Sequence, residues 1–533
     1  MKIVKNNLLK ICLIFMMFLA GAVCVYSVVV YSGTTTEMMG NTEQINTQRS
    51  NSTDQSTQQS AGNNLQTQTQ RKDLTSGNQS TVQSQNQNTH TGTQNANIQY
   101  APLLVIYALI FLGLFIWAYF ARRRIKTLSD DGKNDKIIIV TLLIVALLMR
   151  ISLSTVIQGY SGDISLFKSW ATAAAKDFSN LYASSNNIDY PPLYIYILAI
   201  IGKLANIGIF SKYYILLLKL PSILADVGTA LILYKLSKKR FSMQISLLLA
   251  AFYAFNPATF LNSALWGQVD SLFTLLVVLS FYFLSEKKIT ISAIFFALSI
   301  LMKPQGIIFA PVLLYELVRE RSPKNFIKAA LAGLVTVFVI ILPFSYQHGF
   351  SWIFELYSGT IAKYPYASMN AFNFFSLIGG NMTNYNNTLL LFSYHTWGMI
   401  FIVLVSALSW FLYGKGKNSS YAFSAGLIQI VGVFIFSVGM HERYLFPAMA
   451  IALFAFVYLK DRRFLLLAGG FSISCFVNTY CVLLYGLQGG MGSVTDNSSL
   501  IAGITALFNL LLFAYLVKVA WDNALSGTVY SLE

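Results

Sequence analysis

The residues of this chain best equipped for chemistry sit at the ends of apolar runs: Gly162-Asp163, Asp189-Tyr190-Pro191-Pro192-Leu193, Asn256-Pro257, Trp266-Gly267-Gln268-Val269-Asp270, Lys303-Pro304-Gln305, Asn370 with Asn373, and His441-Glu442-Arg443. A carboxylate such as Asp163 can take a proton from a reacting group. Arg443 offers a planar, bidentate fork to an anion, and His441 can donate from its ring nitrogens. A charge at the centre of a membrane helix costs about 2.5–3.5 kcal/mol on insertion scales, so ionisable groups beside apolar spans need a reason to stay. Interface anchoring accounts for any one of them. Several such groups, carried to one level by separate hairpins, point to a site.

The elements that must carry them are set by composition. Hydrophobic residues make up 55% of the 533 and charged residues 11%, too few polar groups to solvate a globule. A bilayer core needs roughly 20 apolar residues per helical span, and stretches of that kind recur from Leu8 to Val519. The formal charge of +16 lies in short Lys/Arg runs between apolar segments, which is a topology signal and not a nucleic-acid footprint. Cys12, Cys24, Cys475 and Cys481 fall inside apolar segments without metal-type spacing, so neither disulfide nor zinc site is expected.

Basic clusters orient the spans: Arg122 to Lys126, Lys235 to Arg240, Lys287-Lys288, Arg319 to Lys328, Lys415 with Lys417, and Lys460 to Arg463. The positive-inside rule places all of them in the cytoplasm, so an even number of crossings must separate consecutive clusters. Apolar stretches pair accordingly at 242–258 with 270–284, 289–302 with 305–318, 326–345 with 392–413, and 421–439 with 444–459. One interval breaks parity, because 137–157, 191–210 and 213–235 lie between the first two clusters. The middle stretch opens with Pro191-Pro192 and carries Lys203, so it is expected to lie along the outer interface or re-enter. The expectation is an all-α polytopic membrane protein with about fourteen spans and both ends inside.

The expected organisation is a membrane anchor over 1–31, favoured over a signal peptide because no small-x-small cleavage site follows. Next come a disordered Gln/Asn/Ser/Thr-rich extracytoplasmic loop over 32–100, a second span with its basic loop over 101–135, a membrane domain over 136–521, and a cytoplasmic tail over 522–533.

The order GD at Gly162-Asp163, DYPPL at Asp189 to Leu193 and HER at His441 to Arg443 resembles the GT-C membrane glycosyltransferases over roughly Lys136 to Trp521. The nearest relatives look like the glucosyltransferases that extend the lipid-linked oligosaccharide in the endoplasmic reticulum, and bacterial relatives of the second mannosyltransferase of glycosylphosphatidylinositol-anchor assembly. The resemblance implies a GT-C-like helical bundle whose first outer loop carries the catalytic carboxylate on juxtamembrane helices. That agrees with the non-crossing stretch deduced from charge parity. The chain departs from the glucosyltransferases at Ile164 to Phe167, where they have a second acid, and at Trp266 to Asp270, where they have a histidine-containing motif. The identity of the sugar is thereby left open.

The resemblance further implies an inverting hexosyltransferase. It would move mannose or glucose from a polyprenyl-phosphate carrier to a glycan, glycolipid or protein acceptor on the outer face of the cell membrane. Asp163 is then the general base; phosphate leaves readily as an anion, so one carboxylate can suffice. Arg443, His441 and Lys303 are the expected phosphate ligands, with interface snorkelling as their structural alternative. Glu442 and Asp189 would bind sugar hydroxyls, orient His441 or hold a metal. A divalent cation bridging Asp163 and phosphate is conceivable, although no cofactor is required. Tyr190, Trp266, Gln268, Asp270 and Gln305 would line the sugar or acceptor pocket, and Asn370 and Asn373 would touch substrate or cap backbone. Lys219 and Asp226, seven apart on one helical face, are expected to pair with each other or with neighbouring polar groups. The alternative functions are a lipid-linked-sugar flippase, which should show polar residues near mid-bilayer and related halves, or a polysaccharide polymerase. A protein O-mannosyltransferase would share the chemistry, and a non-enzymatic anchor would explain residues 1–126 alone.

Overall fold

The computed structural model describes residues 10–31, 99–121, 135–184, 188–346, 349–416, 418–485 and 496–531. The expected disordered loop, apart from its last residues, and the basic cluster Arg122 to Lys126 lie outside the described residues. The described residues are mainly helical, with α1 (Lys10–Tyr31), α2 (Ala101–Ala121), α3 (Asp135–Val156), α4 (Ser161–Lys176), α5 (Pro192–Ala205), α6 (Tyr214–Ser237) and α7 (Met243–Ala254). α7 runs on through Pro257–Phe260 into a π-helix, Leu261–Trp266. Then follow α8 (Asp270–Ser285), α9 (Ile289–Met302), α10 (Ala310–Glu320), α11 (Pro323–Ser345), α12 (Trp352–Ala362), α13 (Tyr394–Gly416), α14 (Ala422–Phe436), α15 (Pro447–Leu459), α16 (Arg463–Tyr485) and α17 (Asp496–Trp521). One antiparallel hairpin, β1 (Thr388–Leu389) and β2 (Phe392–Ser393), precedes α13.

Ten described helices are long and apolar enough to cross a bilayer, and α5, α8, α9 and α15 are shorter apolar helices. Helix length therefore gives a polytopic all-α membrane protein, with the count of about fourteen left as an expectation. The stretch expected as one span at 305–318 is instead a 3₁₀ segment, Pro304–Phe309, followed by the 11-residue α10. Pro304 and Pro311 each lack the backbone N–H that a continuous helix would use there. Proline opens α5, α11 and α15 at their first turns, where that missing donor costs nothing.

Helices α14 and α15 are buried on nearly every side and form the centre of the bundle. By contrast α1 and α2 present Phe18 and Phe120 outward, at 76% and 75% exposure, as helices facing lipid do.

The two ends of the bundle differ in charge. At one end Lys238 pairs with Asp135 at 2.5 Å, the Arg240 guanidinium lies 4.3 Å from the Tyr458 ring, and the Tyr458 hydroxyl donates to Glu286 at 3.0 Å. Arg319 forks onto Glu316 and donates to Ser419, and Arg463 joins Asp461 to Asp522. Basic clusters far apart in the chain thus share one end, as crossing parity required. The Lys238–Asp135 contact ties the last residues of α6 to the first of α3, while Lys219 near the start of α6 donates to Ser154 and Ile157 carbonyls at the end of α3. These helices are antiparallel neighbours, so residues 157–213 leave and return on one side, and α4 with α5 packs there without net crossing.

Candidate active site

At the opposite end, the first intervening loop begins where α3 stops at Val156 and α4 starts at Ser161, which places Asp163 in the first turn of α4. Its carboxylate meets the turn that follows the π-helix. Asn262 accepts through its carbonyl from the Gly267 and Gln268 N–H groups, at 3.0 and 3.1 Å, and its amide donates to Asp270 at 2.8 Å. Gly267 adopts φ +89°, and a Cβ there would lie 2.8 Å from the Ile164 side chain, so glycine is needed both for the backbone angle and for the close approach. This turn directs the Trp266 indole N–H to Asp163 Oδ2 at 2.7 Å, and the Gln268 amide donates to the same oxygen. Tyr160 stacks on Trp266 with ring centres 4.9 Å apart, and Tyr190 donates to Gln268 Oε1 at 3.2 Å.

Cations arrive from two other loops. Lys303, at the end of α9 and 3% exposed, pairs with Asp270 at 2.5 Å. Arg443, between α14 and α15, donates to Glu442 and places its Nε 3.9 Å from Asp270. Its guanidinium lies 5.4 Å from the Trp266 ring, in cation–π range. Among the described residues Arg443 Nε has no hydrogen-bond acceptor although it is buried. A buried, unsatisfied guanidinium N–H is costly and suits an incoming anionic oxygen.

Electrostatics follow from burial. The Lys303 ammonium is pushed below its usual range by burial, against which Asp270 pulls it back up. Burial raises the Glu442 carboxyl, with Arg443 opposing. His441 is driven well below its ordinary value by burial and by the nearby Arg443 and Lys303 charges. It is therefore neutral and can donate from one nitrogen, not both. Its Nδ1 lies 3.9 Å from Glu442, and its ring packs edge-on to Tyr364 at 5.1 Å.

The remaining expected residues fall in different places. Asp189 accepts from Lys363 at 2.8 Å and from Tyr364 at 3.3 Å, so its carboxylate holds the loop that follows α12. Asn373 caps the short helix Phe374–Leu377, accepting from Ser376 N–H at 3.0 Å, and donates to the Phe434 carbonyl. Asn370, at φ +56°, exchanges hydrogen bonds with Asn381 and bridges the backbone of His441. The Asn373 side chain thus serves the backbone, while the Asn370 side chain accepts from the Asn381 amide at 3.1 Å. Gln305 follows Lys303 in the 3₁₀ segment, and its buried Oε1 has no partner among the described residues.

Lys219 and Asp226 do not pair with each other: Asp226 accepts from Arg150 at 3.2 Å and from Ser263 at 2.6 Å. Among the described residues no three His, Cys, Asp or Glu side chains are grouped to hold a metal ion. A cavity of about 710 Å³ between α2 and α7 is lined by residues such as Tyr107, Phe115, Trp117 and Phe252, none of them charged. It is separate from the acids and cations.

Sequence reasoning missed Tyr160, Asn262, Lys363 and Tyr364. Tyr160 is separated from Gly162-Asp163 by Ser161 alone, so nearness to that motif could have found it. Lys363 and Asn262 carried no such signal, because their partners lie 174 and 8 residues away with nothing periodic between.

The PIG-U family, described as "GPI transamidase subunit PIG-U", matches residues 137–361. "GPI mannosyltransferase 1" of Candida albicans (strain SC5314 / ATCC MYA-2876) is 35% identical over 117 residues, which is 21% of this chain and 29% of that protein. The aligned part therefore spans less than a third of the relative. Both matches support the resemblance drawn from the motifs.

Proposed function

Starting from a chain of GT-C membrane glycosyltransferase-like kind, we propose that it transfers a hexose, mannose or glucose, from a polyprenyl-phosphate carrier to an acceptor hydroxyl, with Asp163 as general base. The observation that carries this reading is the convergence, at the end of the bundle away from the basic clusters, of Asp163 with the buried cations Arg443 and Lys303. By the positive-inside rule that end is extracytoplasmic.

The acceptor oxygen approaches Asp163, whose Oδ2 is held by Trp266 and Gln268, and gives its proton to the carboxylate as it attacks the anomeric carbon. The sugar–phosphate bond breaks on the opposite face, inverting that carbon, and the bonding electrons leave on phosphate. Arg443 and Lys303, aligned in a site with little water, stabilise the added negative charge without reorganising at the moment of reaction. Neutral His441 supplies one further N–H. Tyr190, Trp266, Gln268 and Asp270 frame the sugar, while Asp189 and Glu442 hold cations in place.

The test is Asp163→Asn in proteoliposomes with a labelled polyprenyl-phosphate hexose. Transfer is expected to fall by about 10²–10⁴-fold, with detergent elution and thermal stability unchanged; full activity removes the base. A second reading, binding of a glycolipid without transfer, is favoured by the matched family's description as a transamidase subunit. Carrier binding or movement with no covalent product in the wild-type chain would select it.

A further inference from the structure

The outer loop between α12 and α13 ends in an unusual turn. Residues Leu390 and Leu391 form the tip of the β1–β2 hairpin and are 85% and 82% exposed, with Phe392 beside them at 45%. Leu390 sits at φ +59°, a left-handed conformation that is unfavourable for a branched side chain and where glycine or asparagine is the ordinary choice. An exposed aliphatic tip held at that cost is out of place in water.

The hairpin does not project above the bundle. The Trp397 indole, one turn into α13, donates to the Leu389 carbonyl at 2.9 Å, and Phe392 packs edge-on against the same indole at 5.3 Å. The turn therefore lies beside the first turn of a helix long enough to cross a bilayer. Tryptophan at that position belongs to the headgroup level of a membrane. Below it, Met399, Val403 and Leu404 are 51%, 64% and 58% exposed, so α13 itself presents an apolar face outward. The inner part of the same loop is fixed to the site by Lys363–Asp189 and by Met369 N–H donating to Met440 at 2.9 Å.

We propose that Leu390-Leu391-Phe392 is a membrane-interface anchor, seated at the headgroup–acyl boundary of the leaflet on the site's side. Its partner is the phospholipid surface, and the proposal holds whether or not the chain transfers sugar. The apolar side chains would reach about 5–10 Å into that boundary.

The experiment uses the full chain with Cys12, Cys24, Cys475 and Cys481 replaced by serine or alanine, in phosphatidylcholine/phosphatidylglycerol vesicles. A nitroxide is attached at Leu391→Cys, and at Asn386→Cys as the exposed reference in the same loop. Power saturation with oxygen and a water-soluble nickel chelate reads the depth of each. The label at 391 is expected about 5–10 Å below the phosphates and the label at 386 in water. Equal nickel access at both positions overturns the anchor. Spin–spin broadening at 391 that grows with protein density would also overturn it, since a second copy would then cover the tip. Leu390→Cys gives the same reading if Leu391→Cys does not insert.

Discussion

Removing the charges of Arg150 and Asp226 one at a time and then together should show that this pair holds the site-bearing helices in register. Both side chains are 0% exposed. Arg150 donates Nε to Asp226 at 3.2 Å, Nη2 to Thr259 at 2.9 Å and Nη1 to the Ala254 carbonyl. Asp226 also accepts from Ser263, inside the π-helix that leads to Trp266. Arg150→Met leaves a buried carboxylate unpaired and Asp226→Leu leaves a buried guanidinium unpaired; each should cost about 3–5 kcal/mol. If the residues were independent, the double variant would lose about 6–10 kcal/mol. In the double variant Thr259 and Ser263 keep backbone acceptors at Asn256 and Thr259. The main orphan is the Ala254 carbonyl, worth about 1–3 kcal/mol. A coupling of at least about 3 kcal/mol is therefore expected. Unfolding of the three variants and the wild type in mixed micelles, followed by near-UV circular dichroism, measures it. Additive losses, or single losses below about 1 kcal/mol, would refute the reasoning.

Arg443→Gln should lower transfer by about 10²–10³-fold, as removal of one preorganised donor does, and Arg443→Lys should recover only part of it because the fork is lost; initial rates with labelled carrier decide. His441 is held neutral in the folded chain, so its contribution is present above its ordinary pKa near 6.5 and fades as pH falls below that value, when the unfolded chain takes up a proton first. Thermal unfolding between pH 7 and 5 should thus be less acid-sensitive in His441→Asn than in the wild type. Gly267→Ala forces a Cβ against Ile164 at φ +89° and should lower stability by about 1–2 kcal/mol, with transfer falling further as the Trp266 and Gln268 donors move off Asp163; unfolding midpoints and rates measured together separate the two effects.

The membrane class of the chain, and the gathering of its basic clusters at one end of the bundle, were legible in its residues. Apolar runs of bilayer length and Lys/Arg clusters between them are local quantities, and crossing parity alone showed that residues 157–213 return to the side they left. The collection of Asp163, Trp266, Gln268, Asp270, Lys303 and Arg443 at one end followed from the same count. What the residues did not carry was partnership. Lys219 and Asp226 share a helical face by spacing, yet one caps the end of α3 and the other binds Arg150, an arginine buried in an otherwise apolar run. Asn373 has the composition of a substrate ligand, yet its side chain caps the short helix that follows it, and Asn370 is held by the Asn381 side chain. The bilayer fixes each residue's depth along its helix, a one-dimensional property that the chain records. Which groups face each other depends on helix rotation and neighbour choice, and those are set by packing across the whole bundle.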